Sequence, residues 1–221
     1  MKLVSYVKAG EIQLGAIVHE SLYNLQSVNE NLPKNIIDFF HTSNDLIQQT
    51  EKQLSKIADN SLSVEPVKDY TLLAPVPRPT SCRDGYAFRQ HVESARRNRG
   101  VEMIKEFDQY PIFYFTNHQA IYGPEDDIQR PAKETKLDIE LEMACIIGKK
   151  GKDLKASEAR PYIFGYTIFN DWTARAIQKV EMEIPLGPHK GKDFANAIGP
   201  CIVTADEMEQ YRIPFDETVF T

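Results

Sequence analysis

The sequence has few cysteines, no long apolar run and no excess of basic residues. Its three cysteines, Cys82, Cys145 and Cys201, are widely spaced, odd in number and without a CxxC pair. This spacing excludes a disulfide framework or zinc ribbon, and we expect packed thiols in a reducing compartment. The first residues lack the apolar core of a signal peptide, and no run reaches 18 apolar residues. We therefore expect a cytoplasmic protein with no membrane span.

The charge balance and the missing motifs remove further classes of protein. The net charge is −6 at pH 7, and the densest basic cluster, residues 96–99, is short enough to be a solvated helix end. We therefore predict no nucleic-acid partner. The sequence contains no GxSxG, HExxH or GxGxxG. A phosphate-loop pattern also fails because Asp193, and not Ser or Thr, follows Lys192.

Apolar and acidic residues alternate strictly from Leu137 to Met143, which predicts a β-strand with two different faces. Like charges along one strand face repel unless water or a cation lies among them, and a hard divalent cation prefers such oxygen ligands. A solvated strand face is the simpler alternative. The acidic members are Asp138, Glu140 and Glu142. The apolar members, which we expect to pack inward, are Leu137, Ile139, Leu141 and Met143.

Two further acidic positions could join this strand. Asp171 lies between an apolar strand and a predicted helix, where it is either a helix N-cap or a third carboxylate of an oxygen-rich site for Mg²⁺, Mn²⁺ or Ca²⁺. Asp84 and His91 lie two turns apart on a helix predicted over 84–98, so they share a face. A lone helical His is usually structural or exposed. If this helix covers the carboxylates, His91 lies beside a metal-bound water, and an imidazole is a side chain suited to proton transfer near neutral pH.

Polar residues near Asp171 extend the candidate site. Arg175 and Gln178 are three residues apart and share one face of a helix predicted over 171–183, whereas Lys179 and Glu181 are typical of solvent-facing charge. Lys192 lies in a glycine-rich loop whose glycines permit close backbone approach. We expect this Lys to stabilise an oxyanion or a substrate carboxylate.

The periodicities predict a β-rich α+β protein with a predominantly antiparallel sheet. A proline-rich stretch at 72–79 favours a boundary near residue 70, which gives domains 1–70 and 71–221. In the first domain we predict strands at 2–8, 12–18 and 21–25 and helices at 35–41 and 45–58. In the second we predict strands at 110–116, 136–148, 162–169 and 201–204, besides the two helices above and a loop over 185–197.

The motifs taken together resemble the fumarylacetoacetate hydrolase family. The segments that carry the resemblance are LAPVPRP at 73–79, RDGYAFRQH at 83–91, LDIELEMA at 137–144, FGY at 164–166, NDWTARAIQ at 170–178 and LGPHKGKDF at 186–194. The resemblance implies a small SH3-like β domain at 1–70, followed by the N-terminal part of a mixed β-roll. It also implies a divalent-metal enzyme acting on β-diketo or related 2-oxo acids, and we expect a homodimer.

The resemblance also implies a role for each matching residue. Asp84, Glu140, Glu142 and Asp171 match the family's ligands for Mg²⁺ or Ca²⁺, with Mn²⁺ an alternative, and His91 matches the base that activates water. Arg175, Gln178 and Lys192 match residues that contact substrate and stabilise negative charge, and Tyr86 matches a substrate-contacting Tyr. The implied reaction is hydrolysis of a C–C bond in an acid of the fumarylacetoacetate or acylpyruvate type.

The sequence departs from the family pattern at several positions. Gly85, Ala176 and His189 replace residues that are more common there, and the long members continue past the Val203–Thr204 strand and close the β-roll. An alternative interpretation is therefore an inactive fragment that binds metal or a partner through exposed sheet edges. Decarboxylase, isomerase and hydratase activities, which occur in the same family, stay open.

Overall fold

The chain begins with a hairpin whose turn is formed by Ala9 and Gly10, both in the left-handed region with φ of 52° and 81°. Such a turn matches the twist of the two strands that it joins. The computed structural model describes residues 1–184 and 186–213. Part of the predicted loop, at Pro185, and residues 214–221 of the second predicted domain lie outside the described residues.

The described residues form a strand-rich α+β fold. The strands are β1 (Lys2–Lys8), β2 (Glu11–Val18), β3 (Ser21–Asn24), β4 (Thr71–Leu72), β5 (Cys82–Gly85), β6 (Phe113–Thr116), β7 (Ile121–Tyr122), β8 (Leu137–Asp138), β9 (Leu141–Ile147), β10 (Ile163–Asp171), β11 (Thr173–Ala174) and β12 (Asn196–Thr204). The helices are α1 (Leu25–Val28), α2 (Ile36–Phe39), α3 (Asn44–Ala58), α4 (Arg89–Asn98), α5 (Arg175–Glu181) and α6 (Ala205–Glu209). No described helix has the combination of length and apolar character that crossing a bilayer requires.

The main sheet connects the start of the chain to its later part. Its strand order is β3-β2-β1-β12-β10-β9, with β4 beside β1 and β7 beside β12, and β7–β12 is a parallel pair among antiparallel ones. Lys2 of β1 lies opposite Val203 of β12. The sheet therefore continues across the boundary predicted near residue 70. That boundary and the SH3-like character of residues 1–70 stay predictions.

One hydrophobic core lies between the first three helices and this sheet. Buried side chains from β1, β2 and α1–α3 pack with Phe169 of β10 and with Ile198 and Ile202 of β12. The ring of Phe164 in β10 meets Phe39 and Phe40 edge to face at centroid distances of 6.1 and 4.8 Å. This core fixes β10 and β12, the two strands that lead into the candidate site.

The structure corrects the predicted helix over 84–98. Asp84 lies on strand β5, where it pairs with Tyr114 of β6, and the helix begins only at Arg89. Asp84 and His91 therefore do not share a helix face. The helical spacing in the sequence is real from residue 89 onward, but long-range pairing with β6 determines the backbone of the residues before it.

The alternating segment has the predicted period but the opposite orientation. It is interrupted at residues 139–140, between β8 and β9, and its apolar side chains are exposed from Ile139 onward, whereas Leu137 is half-buried. The expectation that Ile139, Leu141 and Met143 pack inward is wrong, because in β9 it is Glu142 that faces the same side as Ala144 and Ile146, which pack against the core. The exposed fractions are 59% for Ile139, 79% for Leu141, 59% for Met143 and 59% for Ile147.

Two other element boundaries differ from the predictions. Asp171 is the last residue of β10 and not the N-cap of a helix over 171–183, because β11 intervenes and α5 begins at Arg175. Strand β12 begins at Asn196, five residues before the predicted strand at 201–204, where its first residues pair with both β10 and β7. These pairings bring the end of β10 close to the start of β12.

Candidate functional site

Three carboxylates from three different strands meet at one end of β10. Asp84 comes from β5, Glu142 from β9 opposite Phe169, and Asp171 from the end of β10. One carboxylate oxygen of each lies within 4.8 Å of the others. We call Asp84, Glu142 and Asp171 the acidic triad. Oxygen atoms from carboxylates are the ligands that hard divalent cations prefer.

Asp171 is the innermost member of the triad, with a relative exposure of 0%. Its Oδ2 accepts hydrogen bonds from the Tyr114 hydroxyl at 2.7 Å and from Lys192 Nζ at 2.5 Å. Its Oδ1 is buried and has no hydrogen-bond partner among the described residues. Since an unpaired buried oxygen is costly, a cation at this oxygen would fit the donor set of the triad.

The triad creates a strongly negative environment. Burial, followed by the charges of Asp84 and Asp171, raises the pKa of Glu142 to about 8. Burial also raises the pKa of Asp171 to about 6, although Lys192 and Tyr114 act in the opposite direction. The neighbouring Cys82 has its pKa raised to about 11 by burial and by the same three carboxylates, so it stays a neutral thiol. A divalent cation would relieve this repulsion.

Tyr114 lies between two members of the triad. Its hydroxyl is 2.8 Å from Asp84 Oδ2 and 2.7 Å from Asp171 Oδ2. Burial, then the charge of Asp171, raises the pKa of Tyr114, so the phenol keeps its proton. Because a phenol donates one hydrogen bond only, a second hydrogen bond to the other aspartate requires a proton on that carboxyl group. Tyr114 therefore orients the two aspartates toward each other.

Replacement of Tyr114 by Phe is expected to lower the affinity for Mn²⁺ by about tenfold, since loss of a group that orients metal ligands typically costs one to two orders of magnitude. Isothermal titration of the metal-free protein measures the effect. Tyr110→Phe is the matched control because Tyr110 is 62% exposed. Equal Mn²⁺ affinities of the two variants would contradict the orienting role of Tyr114.

Lys192 connects the triad to Glu140. Its ammonium, with a side chain only 4% exposed, lies 2.5 Å from Asp171 Oδ2 and 2.5 Å from Glu140 Oε2. Burial alone would lower the pKa of Lys192, but Asp171 and Glu140 outweigh burial and raise it. Lys192 is therefore a permanent positive charge beside the triad. Glu140 is not one of the three carboxylates whose oxygens lie within 4.8 Å of one another.

Arg175 holds the second oxygen of Glu140. Its Nη1 lies 2.6 Å from Glu140 Oε1 and 3.2 Å from Gln178 Oε1, and its Nε lies 2.9 Å from Asp138 Oδ2. The guanidinium is thus bound by two carboxylates and an amide, which fixes its plane. Arg175, Gln178, Glu140 and Lys192 form a connected polar chain that ends at the triad.

Glu134 holds the start of α5, the helix that carries Arg175 and Gln178. The Glu134 side chain is 1% exposed, and its carboxylate accepts from the main-chain N–H groups of Ala176 and Ile177 at 3.3 and 3.2 Å, and from that of Lys136. Burial opposes ionisation, but these hydrogen bonds outweigh it and lower the pKa of Glu134. A carboxylate at a helix N-terminus is favourable because the free N–H groups point at it.

The two remaining predicted site residues lie on exposed surface near β5. Tyr86 follows Asp84 by two residues and is 54% exposed, and His91 is exposed on α4. Their ring centroids are 6.1 Å apart. The structure thus brings seven of the nine predicted residues into one connected set around Asp171. The other two, Tyr86 and His91, contact each other and form a second set.

Sequence reasoning missed Tyr114, Glu134 and Glu181. Tyr114 belongs to the predicted strand 110–116, but all four residues of β6 are apolar or weakly polar and give no signal of a special face. Glu134 lies in a segment without periodicity. Glu181, predicted to face solvent, accepts hydrogen bonds from three main-chain N–H groups of the loop before Lys192. Glu181 keeps part of its surface in solvent, but the loop folds back over the helix end and its N–H groups donate to the Glu181 carboxylate.

This strand-rich fold is shared with a family of enzymes. The family model described as "Fumarylacetoacetate (FAA) hydrolase C-terminal" matches residues 80–218, more than half of the chain. The chain belongs to the fumarylacetoacetate hydrolase family. A fumarylacetoacetate hydrolase domain-containing protein 2 homolog of Dictyostelium discoideum is 29% identical over 214 residues, which cover 94% of this chain and 66% of that protein.

Other relatives carry different activities in their names. The human mitochondrial oxaloacetate tautomerase FAHD2A is 30% identical over 189 residues, covering 84% of this chain and 55% of that protein. Human fumarylacetoacetase is 30% identical over 151 residues, covering 59% of this chain and 36% of that protein. The chain thus spans at most about two thirds of the length of these relatives.

Solved structures share the fold. A fumarylacetoacetate hydrolase from Exiguobacterium antarcticum has a TM-score of 0.60 at 25% identity and covers 93% of this chain and 67% of its own. A maleylpyruvate hydrolase from Sphingobium sp. SYK-6, solved with manganese(II) and pyruvate, has a TM-score of 0.62 at 21% identity, with 93% and 68% covered. The second likeness, at this identity, is one of fold.

Proposed function

We propose that this chain carries the metal centre of a divalent-metal hydrolase that cleaves a C–C bond in a β-diketo acid of the fumarylacetoacetate or acylpyruvate type. The observation that carries the proposal is the acidic triad, with the unpaired Oδ1 of Asp171 buried in it. Mg²⁺, Ca²⁺ and Mn²⁺ all suit such an oxygen set. Glu140, the fourth predicted ligand, forms ion pairs with Lys192 and Arg175. We assign it the role of holding these two positive groups beside the acidic triad.

The chain's own residues have distinct roles in the proposed reaction. A bound divalent cation would supply Lewis-acid polarisation of the substrate carbonyl. Lys192 and Arg175 provide positive charge for a substrate carboxylate and for the oxygen that becomes negative as the C–C bond breaks. Gln178 donates hydrogen bonds beside them, and Tyr86 contacts the substrate. His91, next to Tyr86, accepts a proton from water, and the hydroxide adds to the substrate carbonyl carbon. The C–C bond then breaks, and the leaving carbon takes up the proton that His91 holds.

The test measures turnover of fumarylacetoacetate and of a panel of acylpyruvates by the 221-residue chain, with and without added metal. We expect turnover with Mn²⁺ or Mg²⁺ and none with a chelator. We further expect His91→Ala to retain Mn²⁺ affinity and to lose about 100-fold or more in rate, with His118→Ala as the matched control. Metal-independent cleavage, or full activity of His91→Ala, would contradict the proposal.

A second candidate is a tautomerase or isomerase that uses the same centre. It is favoured by the relatives named oxaloacetate tautomerase and by a fold neighbour named as a 5-carboxymethyl-2-hydroxymuconate delta-isomerase. Proton transfer without C–C cleavage would need the same cation and the same positive groups. NMR spectra of the panel, with oxaloacetate added, distinguish cleavage products from a changed keto–enol ratio. A decarboxylase or hydratase would give its own products in the same spectra.

The proposed function also bears on the binding partner and on the oligomeric state of the protein. The proposed partner is a small 2-oxo or diketo acid, and a homodimer in the cytoplasm stays a prediction. The alternative of a fragment that binds metal without turnover is motivated by β9, which ends the main sheet and exposes Leu141, Met143 and Ile147. Steady-state turnover by the 221-residue chain alone would exclude it.

A further inference from the structure

The last residue of α5, Glu181, forms an unusual set of main-chain contacts. Its carboxylate accepts hydrogen bonds from the N–H groups of His189 at 3.2 Å and Gly191 at 2.9 Å, both at Oε2, and from that of Lys190 at Oε1. Three consecutive N–H groups that converge on one anion form a concave nest. We call residues 187–192 the Lys192 loop.

The position of Glu181 is unfavourable for the helix itself. A negative side chain at a helix C-terminus repels the free carbonyl groups and the negative end of the helix dipole. Glu181 lies at the end of α5, where a cation is the favourable choice. The three loop N–H groups compensate for this repulsion. The carboxylate therefore stabilises the Lys192 loop at the expense of the isolated helix.

The Lys192 loop packs directly on α5. A Cβ atom added at Gly191 would lie 2.8 Å from Cβ and 2.9 Å from Cα of Gln178, so only glycine permits this approach. The Gly191 carbonyl also accepts from the Ala174 N–H at 2.8 Å, immediately before α5. The N–H of Lys192 itself donates to the His189 carbonyl at 2.9 Å. The helix end, the loop and Lys192 thus form one hydrogen-bonded unit.

We propose that Glu181 is a positioning residue that fixes the Lys192 loop on α5 and thereby keeps the Lys192 ammonium between Asp171 and Glu140. The inference rests on the proposed function only for the role of Lys192 toward an anionic substrate. The proposal also explains how the short helix α5 positions three residues of the site. Its first turns carry Arg175 and Gln178, and its last residue, Glu181, determines the position of Lys192.

The first arm of the test measures the hydrogen bonds themselves. In Glu181→Ala, we expect amide hydrogen exchange at residues 189–191 to be at least about tenfold faster than in the unchanged chain, because the three N–H groups lose their acceptor. Glu181→Gln keeps one acceptor oxygen and should lie between the two. Glu183→Ala, at an exposed site two residues away, is the matched control. Unchanged exchange at 189–191 in Glu181→Ala would overturn the proposal.

The second arm separates positioning from a merely structural role. Oxalate, a planar dianion, is titrated into the Mn²⁺-loaded variants at low temperature, with the folded fraction measured by circular dichroism. We expect Glu181→Ala to bind oxalate about tenfold more weakly, with Glu181→Gln intermediate, since a displaced ammonium loses a charged hydrogen bond. The Mn²⁺ affinity should not fall, because the ammonium repels the cation.

The outcomes distinguish the inference from the function on which it rests. Unchanged oxalate affinity of folded Glu181→Ala would overturn the positioning role, even where its melting temperature falls. A parallel loss of Mn²⁺ and oxalate binding would likewise contradict it, because it would indicate general loosening of the site. Failure of the unchanged chain to bind Mn²⁺ or oxalate would instead contradict the proposed function, while the exchange arm would still decide whether Glu181 holds the loop.

Discussion

Replacement of Lys192 by Met is expected to lower the free energy of unfolding of the metal-free protein by about 3–5 kcal/mol, the usual cost of breaking a buried ion pair from one side. The side chain of Lys192 is 4% exposed, and its ammonium contacts Asp171, which is fully buried, and Glu140. Methionine fills a similar volume but leaves two carboxylates without their shared cation. Urea unfolding in the presence of a chelator measures the loss.

The matched control for this substitution is Lys190→Met. The Lys190 ammonium pairs with Asp193 at 2.8 Å, but its side chain is 78% exposed, so we expect a change below about 1 kcal/mol. Saturating Mn²⁺ should restore part of the stability of Lys192→Met, because the metal neutralises the same carboxylates and binds only the folded state. If the two variants differed by less than 1 kcal/mol, the central role assigned to Lys192 would be wrong.

From the sequence, the acidic and basic residues of the candidate site could be predicted. The sequence did not indicate which face of the segment 137–143 is buried. Period two at 137–143 correctly predicts a strand-like segment, yet the period is the same whichever face is buried. The choice depends on what the rest of the chain places on each side. Here Lys192 and Arg175, distant in sequence, face Glu140, while Leu141 and Met143 stay exposed. Local pattern alone contains no information about those partners.

The secondary-structure errors near the site have the same origin. Asp84 precedes a segment with helical spacing, and Asp171 precedes another, so each was assigned to a helix. Both lie on strands because Asp84 pairs with Tyr114 and β10 continues between β9 and β12. Strand pairing is non-local, whereas helix signals are local, and a junction residue is therefore assigned to the helix too readily.

Residues that act through main-chain groups were the hardest to predict. Glu134 holds the start of α5, and Glu181 holds the Lys192 loop against the end of α5, each by accepting hydrogen bonds from main-chain N–H groups. Main-chain donors exist at every non-proline residue, so no residue type marks the partner. A charged residue that binds them resembles an ordinary surface carboxylate until the fold is known. The sequence segments that contain Arg175, Gln178 and Lys192 could be recognised as motifs. The roles of Glu134 and Glu181, which hold these segments in place, could not be recognised.

The pH dependence of stability provides the second large expected effect. In the metal-free protein the pKa of Glu142 is raised from 4.5 to about 8, and that of Asp171 is raised from 3.8 to about 6. At any pH between the ordinary pKa and the raised pKa of a group, the folded state therefore binds more protons than the unfolded state. Stability must then fall as the pH rises through this window. Without screening, these shifts correspond to about 5 kcal/mol between pH 5 and 8. Because Glu142 is half-exposed and solvent screens its interactions, we expect a smaller loss, on the order of 2 kcal/mol, or roughly 5 °C in melting temperature.

Metal reverses the sign of this dependence. The ligands bind a cation in their ionised form, so Mn²⁺ affinity should rise with pH up to about 8, with release of protons. Thermal unfolding from pH 5 to 9, once with chelator and once with Mn²⁺, should give curves that diverge as the pH rises. Glu142→Gln, which carries no titrating group at this position, should flatten the chelator curve. A metal-free melting temperature that is constant or rises from pH 5 to 8 would show that Glu142 and Asp171 do not lie in the enclosed, negatively charged environment on which the metal centre depends, because burial, together with the charges of neighbouring carboxylates, is what raises their pKa values.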